Sequence, residues 1–280
     1  TRFKCDWSSD VCSSDLAEFG VIPGTLNFDT FGQMGESAVS CHFEKFNKLE
    51  VTPTDIKYSQ DVQEYIYESK INRNIQPIND EISKCIKKLK KDRPTICFFG
   101  QSDFEAGLVP YNAYVKKYHS PWCSSSIDGY EYIAALAKKY DWNLIFKPHP
   151  SLPYGDVAID NSIIIDKCNL HDLLDICDVI ITIASQVSYE ALLRKKPVVM
   201  IGYNQLRGKG CIYEAYEKCQ LEKVINVALA NGFTKDMQKN FDIHMARLLK
   251  YYLYNDYVKR SFYYGKNIDE VIKCLEKGEV

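Results

Sequence analysis

The chain has 280 residues, a length that fits one or two domains, and its 46% hydrophobic and 26% charged residues exclude a disordered or fibrous polypeptide. A net charge of −2 excludes a general nucleic-acid-binding surface, so any basic group acts locally. No apolar run approaches the ~18 to 20 residues that span a bilayer and no signal-peptide pattern opens the chain, so the expected setting is cytoplasmic.

Residues 1–16 are set aside first, because Asp6 to Leu16, DWSSDVCSSDL, reads as the in-frame translation of a sequencing adapter. The expectation is then that 17–91 is the remnant of a truncated N-terminal domain. Ala17 to Ser40 is rich in glycine and reads as loop and strand end. Helical spacing follows over Asp61 to Asn74, with Val62, Tyr65, Ile66 and Ile71 on one face, and over Ile78 to Lys91, with Ile82, Ile86 and Leu89. Lys87, Lys88, Lys90 and Lys91 read as a solvated helix end that complements the macrodipole. Asp92-Arg93-Pro94 breaks the pattern.

From Pro94 the elements alternate as βαβ units. Strands are expected at Thr95 to Gly100, Asn143 to Lys147, Ser162 to Asp166, Val179 to Ala184 and Val198 to Gly202. Helices are expected at Ile127 to Tyr140, Leu170 to Cys177 and Gln186 to Arg194, and in the tail at Asn240 to Leu253 and Asn267 to Leu275. Continuous apolar strands alternating with helices imply an α/β fold, a Rossmann-like doubly wound parallel sheet over 92–260. Neither G-x-G-x-x-G nor G-x-x-x-x-G-K-[ST] is present, so a dinucleotide enzyme and a P-loop NTPase are not supported. Gly202 to Gly210 is a glycine-bearing loop after the last strand. The eleven cysteines include no CxxC pair, which disfavours zinc, and Cys97, Cys177 and Cys274 read as small core residues in a reducing compartment. Tyr251-Tyr252 and Tyr263-Tyr264 read as packing rather than sugar-stacking residues.

Ligands of an open parallel sheet bind outside the carboxyl ends of its strands. Two of those ends carry phosphate-compatible groups: Lys147-Pro148-His149-Pro150, a histidine fixed between prolines, and Ala184-Ser185-Gln186, a serine at the expected N-cap of a helix. Each has an ordinary structural reading beside the functional one: Ser185 as a cap, His149 as a loop-packing residue, Glu190 as a helix-surface carboxylate.

Three blocks carry a family resemblance. They are Glu18-x-Gly20-x-x-Pro23-Gly24-Thr25 with Asp29, Gly32 and Ser37; Lys147-Pro148-His149-Pro150; and Ser185-x-x-x-Tyr189-Glu190-Ala191-Leu192 followed by Lys196-Pro197-Val198 and Gly202. In order and spacing they resemble the bacterial capsule polysaccharide biosynthesis proteins, GT-B-like glycosyltransferases that include the capsule Kdo transferases. The resemblance implies a nucleotide-activated sugar donor, with a CMP-activated acidic sugar such as CMP-Kdo first, and a glycan or glycolipid acceptor. It also implies association with the capsule export machinery at the inner membrane and a C-terminal helix over 261–280 that packs back toward the N-terminal domain. No cofactor, metal or nucleic acid is expected. Lys147, His149, Pro150, Ser185, Gln186, Glu190 and Gly202 are then the candidate donor-binding residues, with His149 and the helix start meeting the phosphate and Glu190 the ribose. Asp103 and Glu105, in a segment resembling the family's glutamine followed by acidic residues, and Glu18 compete as the catalytic carboxylate. Two alternatives stay open: another GT-B-like enzyme, such as a UDP-sugar epimerase or a CDP-glycerol-type polymerase, and a non-catalytic capsule assembly component.

Overall fold

The computed structural model describes residues 17–70, 80–150 and 162–255. The adapter-like start, the helix expected at Asn267 to Leu275, the 261–280 segment, Cys274 and Tyr263-Tyr264 lie outside the described residues, as does the junction between the two helices expected before Pro94. Glycine-rich residues 17–40, read as loop and strand end, contain a hairpin: β1 (Ala17–Phe19) pairs antiparallel with β2 (Thr25–Phe28). Gly24 adopts φ +87°, a region that penalises a Cβ, and Thr25 Oγ1 donates to the Ile22 carbonyl at 2.7 Å to close the turn. Two single-turn helices follow, α1 (Ala38–Cys41) and α2 (Phe43–Phe46), and then α3 (Pro53–Ser69) and α4 (Glu81–Lys88). Helix α3 begins eight residues before the periodicity implied. Thr52 Oγ1 accepts from Asp55 N at 3.2 Å, Asp55 Oδ2 accepts from Thr52 N at 2.8 Å, and Pro53 opens the first turn.

The second half alternates as expected, with shorter strands. In chain order the elements are β3 (Thr95–Phe99), α5 (Ala113–Tyr118), α6 (Ser126–Tyr140), β4 (Asn143–Lys147), β5 (Ser162–Ile164), α7 (Leu170–Asp175), β6 (Val179–Thr182), α8 (Val187–Leu193), β7 (Val198–Met200), β8 (Tyr213–Glu214), α9 (Leu221–Asn231) and α10 (Lys235–Arg247). The six strands β5-β4-β3-β6-β7-β8 form one parallel sheet. Renumbered from its first strand, that is the 3-2-1-4-5-6 order of a doubly wound fold, with the reversal between β3 and β6.

Period-two alternation splits the strand residues between two buried faces. Cys97, Phe99, Ile145, Ile180, Val198 and Met200 point to one, packed with residues of α3, α4, α7, α8 and α10. Ile96, Phe98, Phe146, Ile181 and Val199 point to the other, against α6 and α9. There the Phe146 ring lies between Tyr130, at a centroid distance of 4.2 Å, and Phe98, at 5.7 Å. Full burial of each such ring contributes about 2 to 3 kcal/mol.

The chain then returns to its beginning. The helix expected to reach Leu253 stops at Arg247, continues as a π-helical turn over Leu248–Tyr252, and becomes strand β9 (Leu253–Asn255), antiparallel to β2. The buried Tyr252 hydroxyl donates to Asp29 Oδ2 at 2.9 Å. Ile22, Val39, Phe46, Val62, Ile66 and Cys85 belong to the same apolar cluster as Phe99, Leu174 and Leu253, so 17–91 and the parallel sheet share one core. Cys97 and Cys177 are buried free thiols within it.

Candidate active site

A doubly wound sheet opens its crevice at the strand reversal, here between β3 and β6, beside the segments that leave the carboxyl ends of β3, β4 and β6. Gln101 ties two of them together: its Oε1 accepts from Ala184 N at 3.0 Å, and its own N–H donates to Ser126 Oγ at 3.0 Å. Gly100 N donates to the Lys147 carbonyl at 3.0 Å and extends the β3–β4 ladder into the loops. Gln101 is buried, and among the described residues its Nε2 has no hydrogen-bond partner. Sequence reading placed Gln101 beside the carboxylates and gave it no role; its bridging only becomes visible once β3 and β6 are neighbours.

Asp103 sits at the start of α6. Both its oxygens accept from Ser126 N, at 2.9 and 3.1 Å, and Oδ1 lies 2.8 Å from Ser126 Oγ. Burial raises its carboxyl above the usual range and the Ser126 hydrogen bonds oppose that rise. This geometry makes Asp103 an anchor for the helix end, a use that the bare spacing of acidic residues did not reveal. Glu105 lies farther along the loop, where its charge reaches the His149 imidazole. Burial lowers the His149 pKa, Glu105 opposes that shift and Lys147 adds to it, so the ring is mostly neutral near pH 7. Lys147, a candidate donor-binding residue, donates to the carbonyls of Pro148 and Asp166, each at 2.8 Å. Its pKa is lowered by burial. It fixes the path of the loop that carries His149 between buried Pro148 and exposed Pro150.

On the β6 side the expected N-cap moves by one residue. Gln186 occupies the cap position of α8 with helical backbone angles and no side-chain capping bond, while Ser185 Oγ accepts from Val187 N at 3.3 Å. Ser185 N in turn donates to Thr182 Oγ1 at 3.3 Å. Glu190, in the first turn of α8, is half-buried, and desolvation pushes its pKa up to about 7, with Arg194 pulling the other way. Gly202 has a packing role. A Cβ there would lie 2.7 Å from the His119 carbonyl and 2.9 Å from that of Ile183, so only glycine lets β7 leave the sheet along this path. Asn204 then donates to the Ala184 carbonyl at 3.3 Å and to Ser188 Oγ at 3.2 Å, fastening the glycine-bearing loop to the Ser185 turn.

The N-terminal segment covers the neighbouring part of this edge. Glu36 Oε1 lies 2.6 Å from His119 Nε2, and a Cβ on Gly35 would lie 1.9 Å from the Tyr118 carbonyl, so the two chain segments are in intimate contact. Neither Glu36 nor His119 was singled out from sequence, because they lie 83 residues apart with no shared motif. Glu18 is placed elsewhere, on β1 opposite Asn27 in the three-stranded sheet. Among the described residues no group of three or more His, Cys, Asp or Glu is arranged to hold a metal ion.

The profile described as capsule polysaccharide biosynthesis protein matches residues 113–263, which include β4, β6, α8 and every residue named above as a donor-binding candidate. No curated protein sequence gives a significant match. Among solved structures, the fold is similar to the Thermosulfurimonas dismutans KpsC beta Kdo 2,7 transferase, at 17% identity and a TM-score of 0.56 over 94% of this chain and 77% of that one. It is also similar to the KpsC beta Kdo 2,4 transferase of the same organism, at 17% identity and a TM-score of 0.54 over 82% of this chain and 70% of that one. With the doubly wound sheet and the match over more than half its length, the chain has a GT-B-like α/β fold and belongs to the capsule polysaccharide biosynthesis protein family.

Proposed function

We propose that the protein transfers a sugar from a nucleotide-activated donor to a glycan or glycolipid acceptor at the crevice between β3 and β6. The observation that carries this reading is the placing of a carboxylate and a histidine at adjacent strand ends beside the switch point: Glu105, beyond β3, lies close enough to His149, beyond β4, to oppose the fall in its pKa. Glycosyl transfer needs both kinds of group. A carboxylate stabilises or attacks the positively charged anomeric centre, and a donor meets the negative charge that builds on the departing phosphate.

In this reading Glu105 faces the anomeric carbon, and Asp103 positions its loop through Ser126. Glu18, on the other sheet, is given no step. His149, mostly neutral, supplies an N–H to the leaving phosphate, and the Ser185 hydroxyl, which already accepts from Val187 N, turns its own proton to the same group. Glu190 at the first turn of α8 receives the ribose hydroxyls, and as a carboxylic acid it can donate as well as accept. The donor proposed is a CMP-activated acidic sugar, in line with the Kdo named for the two structures that share the fold. The setting proposed is the cytoplasmic face of the inner membrane beside the capsule export machinery; no described helix is long and apolar enough to cross a membrane.

The test is release of free nucleotide from CMP-Kdo, with UDP- and CDP-activated donors as controls, in the presence of a glycolipid acceptor. Changing Glu105→Gln is expected to lower turnover about 100-fold or more with the thermal midpoint unchanged. Equal turnover in the variant would remove Glu105 from the chemistry, and consumption of only a UDP- or CDP-donor would reassign the substrate.

A further inference from the structure

At the opposite edge of the parallel sheet, α3, α10 and the end of α8 enclose a groove of about 450 Å³. Gln60, Gln63 and Tyr67 line it from one stripe of α3, Gln238 and Asp242 from successive turns of α10, and Arg194 from just beyond α8. Helix α8 descends from the crevice to the amino end of β7, which puts this groove on the order of 15 Å, one strand length, from His149.

The groove is built around a buried carboxylate that, among the described residues, no cation neutralises. Asp242, 6% exposed, accepts from Gln60 Nε2 at 2.7 Å, Gln238 Nε2 at 2.7 Å and Gln63 Nε2 at 3.2 Å. Arg194 is instead committed to Asp175, and its guanidinium lies 5.2 Å over the Tyr67 ring. With their amide nitrogens turned to Asp242, the glutamines have their carbonyl oxygens left for other donors. One of these, Gln238 Oε1, is buried and has no partner among the described residues. A buried carbonyl in that state asks for a hydroxyl or amide donor.

Each ligand class can be weighed against these groups. A cation finds the carboxylate already occupied by three amides. An anion finds the guanidinium already neutralised by Asp175. An apolar ligand would strand the polar walls. A polyhydroxylated chain suits the groove best, its hydroxyls facing the amide walls while its C–H face lies on the half-exposed Tyr67 ring. We infer that this groove is a second carbohydrate-binding site, which holds a glycan chain away from the crevice. It stands apart from the donor reading and does not depend on which nucleotide sugar is used.

The test is saturation-transfer NMR on the full chain with two probes, maltohexaose as a neutral hexasaccharide and a sialic acid hexamer as an acidic one. At least one is expected to bind, with affinity lowered about fivefold or more by Tyr67→Ala and by Gln238→Ala and unchanged by His149→Ala. Should Gln238→Ala shift the unfolding midpoint, Tyr67→Ala decides, because its ring is half-exposed. Binding of neither probe, binding indifferent to Tyr67→Ala, or binding lost with His149→Ala would each overturn the assignment.

Discussion

The parallel sheet and the three-stranded antiparallel sheet differ in how far apart in the chain their partners lie. In the parallel sheet β3 reaches β4 through α5 and α6, β6 reaches β7 through α8, and the longest span between paired strands is the 83 residues from Ile96 to Val179, whereas Asn27 on β2 bonds with Tyr252 across 225 residues. Closing the larger separation costs more chain entropy, although the cost grows only slowly with loop length. Yet the hairpin is not an independent addition, since Ile22 and Leu253 belong to the apolar cluster that contains Phe99 and Met200. Long-range closure here is stabilised by burial in the core it shares with the parallel sheet.

That comparison can be broken most severely from the sheet. Phe98 is fully buried and its ring stacks on Phe146, so Phe98→Ala is expected to cost about 3 to 5 kcal/mol in urea unfolding and to lower the stability of both sheets together. Leu253→Ala acts from the other side. Loss of this fully buried side chain on β9 should cost about 2 to 4 kcal/mol, and far-ultraviolet circular dichroism and tyrosine fluorescence should still report one coincident transition. Two separated transitions would show that the antiparallel sheet opens alone and that the shared core is only nominal.

A smaller, pH-dependent effect comes from the crevice. The folded-state pKa of Glu190, about 7, lies above its ordinary 4.5. Its contribution is therefore fully present below 4.5 and is lost as pH rises through about 7, after which an ionised carboxylate is held in a desolvated place. Glu190→Gln should then leave stability nearly unchanged at about pH 4 and add about 2 to 3 kcal/mol at about pH 8, measured by denaturant titration at both values. An equal difference at the two pH values would mean that Glu190 is solvated like any surface carboxylate.

The same contrast explains what could be read from the amino acids. Apolar runs located β3, β4 and β6, and the helical spacing of Tyr130, Ile133 and Ala137 located α6, because each is decided by its own residues. Signals for α3 and α9 were also present: the Thr52, Pro53 and Asp55 start of one, and Leu221, Val224, Ile225 and Ala228 in the other. Strand β9 carried no such signal, since Leu253 to Asn255 follows a helix directly and is a strand only because β2 pairs with it. In the site, His149 and Ser185 were legible as strand-end residues. The anchoring of Asp103 by Ser126, the bridge from Gln101 to Ala184 and the contact of Glu36 with His119 were not, because each depends on a partner that only the fold supplies.

The central claim is that the strand ends at His149 and Ser185 hold the phosphate of a nucleotide donor. Calorimetric titration of the full chain with CMP, UDP and CDP, repeated on His149→Ala, addresses it most directly. The account predicts that one nucleotide binds, CMP first, and that the variant loses about tenfold or more in affinity while keeping its unfolding midpoint. A folded protein that binds none of the three, or binds one equally well without the imidazole, would contradict it.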